Sequence, residues 1–144
     1  MSDPLSVAAS IAGLLSLAGQ VYTTLDTFIT NVQGAPSFAN RIRIEVDSFR
    51  RSLNALHTLL SPWTAPPKRA ALIPADFIVL TFTDATLLFS EIEAEILPLI
   101  QLHDFDFVVR ARWARKKTQL ETLVSRLQWQ KLTLVLQLNI LKWY

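Results

Sequence analysis

The chain has 144 residues, 51% of them hydrophobic and 18% charged, with 14 Lys and Arg against 12 Asp and Glu for a formal net charge of +2. A chain of this length buries roughly 68% of its unfolded surface, enough for a real core, while a charged fraction below the ~25% usual in soluble domains leaves apolar surface for a partner, a further domain or lipid to cover. It has no cysteine, which excludes disulfides, thiolate metal sites and cysteine nucleophiles and fits a reducing, cytoplasmic setting.

The first twenty residues, MSDPLSVAASIAGLLSLAGQ, hold one acid and no base. A secretory signal needs a positive n-region, and here the first cation is Arg41. A membrane span needs ~20 apolar residues; Leu5 to Leu25 is free of charge, but Ser6, Ser10, Ser16, Gln20, Thr23 and Thr24 dilute it. The better reading is an amphipathic helix over 4–33. Val7, Ile11, Leu14, Ala18, Val21, Leu25, Phe28 and Val32 repeat in steps of three and four, which draws one apolar stripe. Asp3 can cap this helix, Pro4 suits its first position, and Gly34 and Pro36 stop it. Its other side, Ser16, Gln20, Thr23, Thr27 and Thr30, is uncharged, and Ala8, Ala9, Ala12 and Gly13 make small-xxx-small pairs that permit close helix approach. Lipid could also accept such a helix.

Pro36 precedes a second stripe over 37–61, Ile42, Val46, Phe49, Leu53, Leu56 and Leu60, which ends at Ser61-Pro62 because the residue before proline avoids the helical region. Four of the seven prolines fall between Pro62 and Pro74, the longest expected loop. A third helix over 75–97 carries Ile78, Phe82, Ala85, Phe89, Ile92 and Ile96 on one face, with Pro98 closing or kinking it. The segment DFDFVVRARW alternates as a strand would, yet it runs without a break into a Leu-rich stretch and reads as the opening of a fourth helix over 106–142. Trp113, Leu120, Leu123, Leu127, Leu134, Leu138 and Leu141 should face inward. The expected fold is all-α, one antiparallel four-helix bundle over 1–144.

Charge is segregated along the chain. Residues 75–109 hold seven acids and no base, while 110–144 hold eight bases and one acid. Helices three and four should therefore pair as neighbours, although each exposed ion pair adds only about 0.2–1 kcal/mol.

No catalytic constellation emerges. His57 lies among leucines on the second helix, and His103, Asp104 and Asp106 offer too few donors for a metal, so Asp104 or Asp106 is better read as a helix cap. Glu91 and Glu95 share a face while Glu93 points away, the pattern of a solvated acidic surface. Phosphate loops, nucleophile elbows and dinucleotide fingerprints are missing, so neither enzymatic activity nor a cofactor is expected. The basic cluster Arg110, Arg112, Arg115, Lys116 and Lys117, with Trp113 inside it, has three readings. It can face the acidic helix and water, or an anionic lipid surface with Trp113 at headgroup level, or nucleic acid. The acids next door oppose the last, and no nucleic acid is expected as a partner.

The segments DPLSVAASIAGLLSLAGQVYTTLDTFI, PSFANRIRIEVDSFRRSLNAL, LIPADFIVLTFTDATLLFSEIEAEILPL and RWARKKTQLETLVSRLQWQKLTLVLQLNIL together resemble the fungal N-terminal domain found ahead of NACHT-type STAND ATPases and ankyrin repeats, a family that includes azaphilone-cluster-type N-terminal domains and is distantly HeLo-like. The resemblance implies a HeLo-like helical signalling or effector module that self-associates, with a NACHT or ankyrin part downstream in longer relatives. Regulated cell death or self/non-self recognition is the setting it implies. Distant relatives expose an N-terminal helix to the plasma membrane; carried over by position, the inserting residues would be Leu5, Val7, Ile11, Leu14, Leu15 and Leu17, with Arg110, Arg112, Trp113, Arg115, Lys116 and Lys117 on anionic lipid. HeLo-type N-terminal helices can carry charge that matters for permeation, whereas this one offers only Asp3 and Asp26. The alternative is a protein-binding scaffold without membrane activity. The helical pattern still runs at LKWY, which fits either one domain of a longer protein or a short stand-alone member.

Overall fold

The computed structural model describes residues 4–32, 35–59, 75–100 and 106–142, with side chains described from Ser10 in the first helix, from Leu80 in the third and from Val108 to Ile140 in the last. Four α-helices account for all but three of these residues, and there is no strand among them: α1 Pro4–Asn31, α2 Ser37–Leu59, α3 Ala75–Ile100 and α4 Asp106–Lys142. Val108 to Trp113 lie within α4, so the alternating pattern there is a helix opening and not a strand. Pro98 does not close α3: the helix runs through it for two more residues, to Ile100. Its missing N–H would have paired the carbonyl of Ala94, an exposed residue, so water can satisfy that carbonyl and the interruption costs less than it would on the buried side.

α1 packs against α2 and α3, and α4 packs against the same two, so the helices ring the core in the order α1, α2, α4, α3. Consecutive helices run in opposite senses. Asp26 of α1 meets Arg43 of α2 while Tyr22 meets Arg50, and Glu95 of α3 meets Lys116 of α4 while Glu91 meets Arg126. α1 and α3 lie side by side in the same sense: Ser10, Gly13 and Leu14 border Phe82 and Thr86, and Phe28 and Val32 border Ile100.

The core is the sum of the four stripes. Ile11, Leu14, Ala18, Val21, Leu25 and Phe28 of α1 are at most 4% exposed. Against them lie Ile42, Val46, Phe49, Leu53 and Leu56 of α2, then Phe82, Ala85, Phe89, Ile92 and Ile96 of α3, and Trp113, Leu120, Leu123, Leu127, Leu134 and Leu138 of α4. Ala39, Leu88, Leu99, Val109 and Val124 widen these stripes. Val7, Leu60, Ile78 and Leu141, also expected inward, lie outside the described side chains. Aromatic pairs cross the bundle along both diagonals: Phe28 stacks on Trp113 with centroids 5.6 Å apart, and Phe49 meets Phe89 edge-on at 5.2 Å. Such pairs add about 0.5–1.5 kcal/mol beyond burial and tie opposite helices that otherwise touch little.

Candidate interaction surfaces

The first candidate is α1. Its uncharged outer row is where the sequence puts it, with Ser16, Gln20, Thr23, Thr27 and Thr30 all exposed. The residues that the resemblance assigns to lipid are not on that row. Ile11 and Leu14 are 0% and 1% exposed in the core, and Leu15 and Leu17 are half-buried against it. Leu5 and Val7 lie outside the described side chains. α1 is also tied to α2 by charge: Arg43 donates to Asp26 at 2.7 Å, and the Arg50 guanidinium sits 4.5 Å from the Tyr22 ring centre. Of the small residues with close-approach spacing, Gly13 is not pressed against a neighbour: a Cβ added there would meet nothing within 4 Å, as is also the case at Gly19.

The second candidate, the basic opening of α4, is a collar and not a face. At 3.6 residues per turn, Arg110 and Lys117 fall on one flank of the helix while Arg112, Arg115 and Lys116 fall toward α3. Arg110, Arg115 and Lys117 are exposed and Arg112 is half-buried. Lys116 is engaged with Glu95 at 3.1 Å. Trp113 is 2% exposed under Phe28, so in this fold its ring is not available to a headgroup. Its Nε1 is buried with no hydrogen-bond partner among the described residues, as is Oε2 of Glu45, whose Oε1 accepts from Gln128 at 3.1 Å. Further along, Arg126 donates to Glu91 at 2.7 Å and Gln119 to Glu95 at 2.9 Å. The acidic and basic helices are thus neighbours, as their charges require.

The third surface was not singled out in the sequence. Trp129, Leu132, Leu136 and Ile140 are 49–69% exposed, at steps of three, four and four along the back of α4. Leu80 and Leu87, 60% and 58% exposed, form a parallel row on α3. Between the rows lies an open groove of about 590 Å3 lined by Asp84, Leu87, Glu91, Thr122, Arg126 and Trp129. From Leu127 to Leu141, LQWQKLTLVLQLNIL, only Lys131 is charged, and Lys131 turns aside to Ser48 of α2 at 2.9 Å. A helix that is apolar all round is ordinarily covered all round; here α2 and α3 cover one side. The signal for this face is the pair of interleaved apolar rows in that stretch, of which the row Leu127, Leu134, Leu138 and Leu141 is the one read as inward.

Among the described residues no helix is long and apolar enough to cross a membrane, and no three His, Cys, Asp or Glu side chains come together to hold a metal ion. Set against protein-family models, curated proteins and solved structures, the chain matches none.

Proposed function

We propose that this chain is a non-enzymatic helical signalling or effector module that works by association with other protein surfaces in the cytoplasm. This is the role implied by its resemblance to the N-terminal domains of fungal STAND proteins, where a NACHT or ankyrin part would lie downstream. The supporting observation is the placement of apolar side chains: the inward stripes close a complete core, and a second set on α3 and α4 remains turned outward. Monomers seldom leave a contiguous apolar patch beyond a few hundred Å2 without a use for it.

A second reading, membrane association through α1, is favoured by the charge-free run from Leu5 to Leu25. Its energetics are demanding. Withdrawing α1 uncovers Ile11, Leu14, Val21, Leu25 and Phe28, which at about 1.5–3 kcal/mol each matches the 5–15 kcal/mol that holds a typical domain together. Release of α1 therefore amounts to unfolding the bundle, whereas association through the outer face of α3 and α4 leaves it intact.

Sedimentation of the purified chain alone and with neutral and anionic liposomes, at low and high salt, separates the readings. Concentration-dependent association without lipid binding is the expected result. Salt-sensitive binding to anionic vesicles, with dye release that is lost when the chain starts at Gln20, would replace it with the membrane mechanism. A chain that stays monomeric would refute self-association, and one that binds no vesicle would refute the membrane mechanism.

A further inference from the structure

Resting on the reading that the chain works by association, we infer that the outer face of α3 and α4 is the docking surface for a second copy of the same chain, with the two-fold axis parallel to the helices. Two observations carry this. The first is area. Leu80, Leu87, Trp129, Leu132, Leu136 and Ile140, each about half exposed or more, present on the order of 600 Å2 of apolar surface, the upper end of what a monomer shows. With its polar rim this approaches the ~800 Å2 per partner of a standard interface.

The second is charge. On the outward face the α3 row is acidic at Asp84 and Glu91, and the α4 row is basic at Arg126. An axis parallel to the helices lays α3 of one copy over α4 of the other, acid over base. An axis across the helices lays α3 on α3 and sets acid against acid, an arrangement that like charge disfavours. The register agrees. Because Glu91 lies beside Arg126 and Glu95 beside Lys116, Leu87 stands level with the turn of α4 around Arg126 and Trp129, and Leu80 with the turns around Leu132 and Leu136. In the parallel two-fold, leucines on α3 of one copy therefore fall on Trp129 and the leucines of the other. The surface is complementary to itself, as a closed dimer requires.

The test is the mass of the wild-type chain by sedimentation velocity between about 1 μM and 1 mM, the affinity range open to an interface of this size, beside two variants. Leu132→Glu with Leu136→Glu places charge on side chains that are already exposed, so far-ultraviolet circular dichroism should show the helices retained. Ile44→Glu makes the same kind of change at an exposed leucine-sized residue on α2, outside the α3 and α4 rows. The wild type and Ile44→Glu should move together toward twice the chain mass, and the double variant should need at least about a hundredfold higher concentration. For orientation, the chain has no native cysteine, and Leu87 on α3 and Ser125 on α4 line the same groove from its two sides, so Leu87→Cys and Ser125→Cys can be mixed and oxidised. Cross-links between the two variants should dominate; Leu87→Cys linking mainly to itself would overturn the axis. Association unaffected by the double variant would overturn this surface and leave the association reading standing. A wild type that stays monomeric to 1 mM on the same range would overturn the dimer and leave only association with a different protein surface.

Discussion

Replacing Trp113 tests whether the buried indole is held for its bulk or for its N–H. The ring is 2% exposed, stacks on Phe28 at 5.6 Å and 19°, and carries an Nε1 with no acceptor among the described residues. Trp113→Ala removes one of the largest buried side chains and the diagonal stack, a loss of about 3–5 kcal/mol for the cavity and about 0.5–1.5 kcal/mol for the pair. That is a large part of the 5–15 kcal/mol of a typical domain. Trp113→Phe keeps a six-membered ring against Phe28 and gives up roughly 50 Å2 of burial, about 1.3 kcal/mol at 25 cal/mol per Å2. It also removes a buried donor whose lack of a partner costs about 1–3 kcal/mol. The two nearly cancel, and Trp113→Phe should lie within about 1 kcal/mol of the native chain. Urea titration followed by the helical signal at 222 nm measures both variants without relying on tryptophan emission. If Trp113→Phe lost as much as Trp113→Ala, the indole N–H would have to make a bond that matters, and the reasoning from an orphaned donor would fail.

Gly13→Ala and Gly19→Ala should each raise stability by about 0.5–1 kcal/mol, because both sit inside α1 with nothing within 4 Å of an added Cβ; a loss in thermal melting would reveal a close approach that the open space around them denies. Pro98→Ala restores a donor in the last turns of α3 at an exposed position and should stabilise by roughly 1 kcal/mol, less than the ~3 kcal/mol of a mid-helix proline. A double-mutant cycle on Glu91 and Arg126, both half exposed at 51% and 49%, should return no more than about 1 kcal/mol; a larger coupling energy would mean the pair is shielded from water, for instance by a bound second copy.

Much of this fold was legible because periodicity reports which side of a helix is wet. The α1 row from Ile11 to Phe28 alternates with Ser and Thr, and the α2 row alternates with Arg and Asn, so the buried residues stand out. α4 was harder past Leu127, where two apolar rows interleave and the period that separates inside from outside disappears. Leu134 and Leu138 do face inward as expected, but nothing local distinguishes them from Leu132 and Leu136, which lie outside. Only the positions of α2 and α3 decide. Trp113 carries two readings in the sequence, inward on the α4 stripe and headgroup anchor among its cationic neighbours, and the stack on Phe28, 85 residues earlier, bears out the first. Pro98 is a different case: as a closing residue it would end α3 at 97, yet the helix carries on to Ile100, because the one carbonyl its missing N–H leaves unpaired, that of Ala94, lies on the exposed side.

Whether α1 ever leaves the bundle can be decided without knowing what triggers it. Asp26 and Arg43 bridge α1 and α2 at 2.7 Å, and the chain has no cysteine of its own, so Asp26→Cys with Arg43→Cys accepts a short bismaleimide that staples the two helices. The native ion pair, 45% and 26% exposed, contributes little, on the order of 0–1 kcal/mol, so its loss leaves the fold in place. The staple opposes only the separation of α1 from α2, while the outer face of α3 and α4 lies on the other side of the ring and is left untouched. Dimerisation of the stapled chain should match that of the unstapled one across the whole concentration range, and no vesicle leakage should depend on cleaving the linker. If leakage does occur in the unstapled chain and stops in the stapled one, the cost of uncovering the α1 stripe must be met from burial elsewhere, and lipid is then the only solvent able to receive Ile11, Leu14, Val21, Leu25 and Phe28 together.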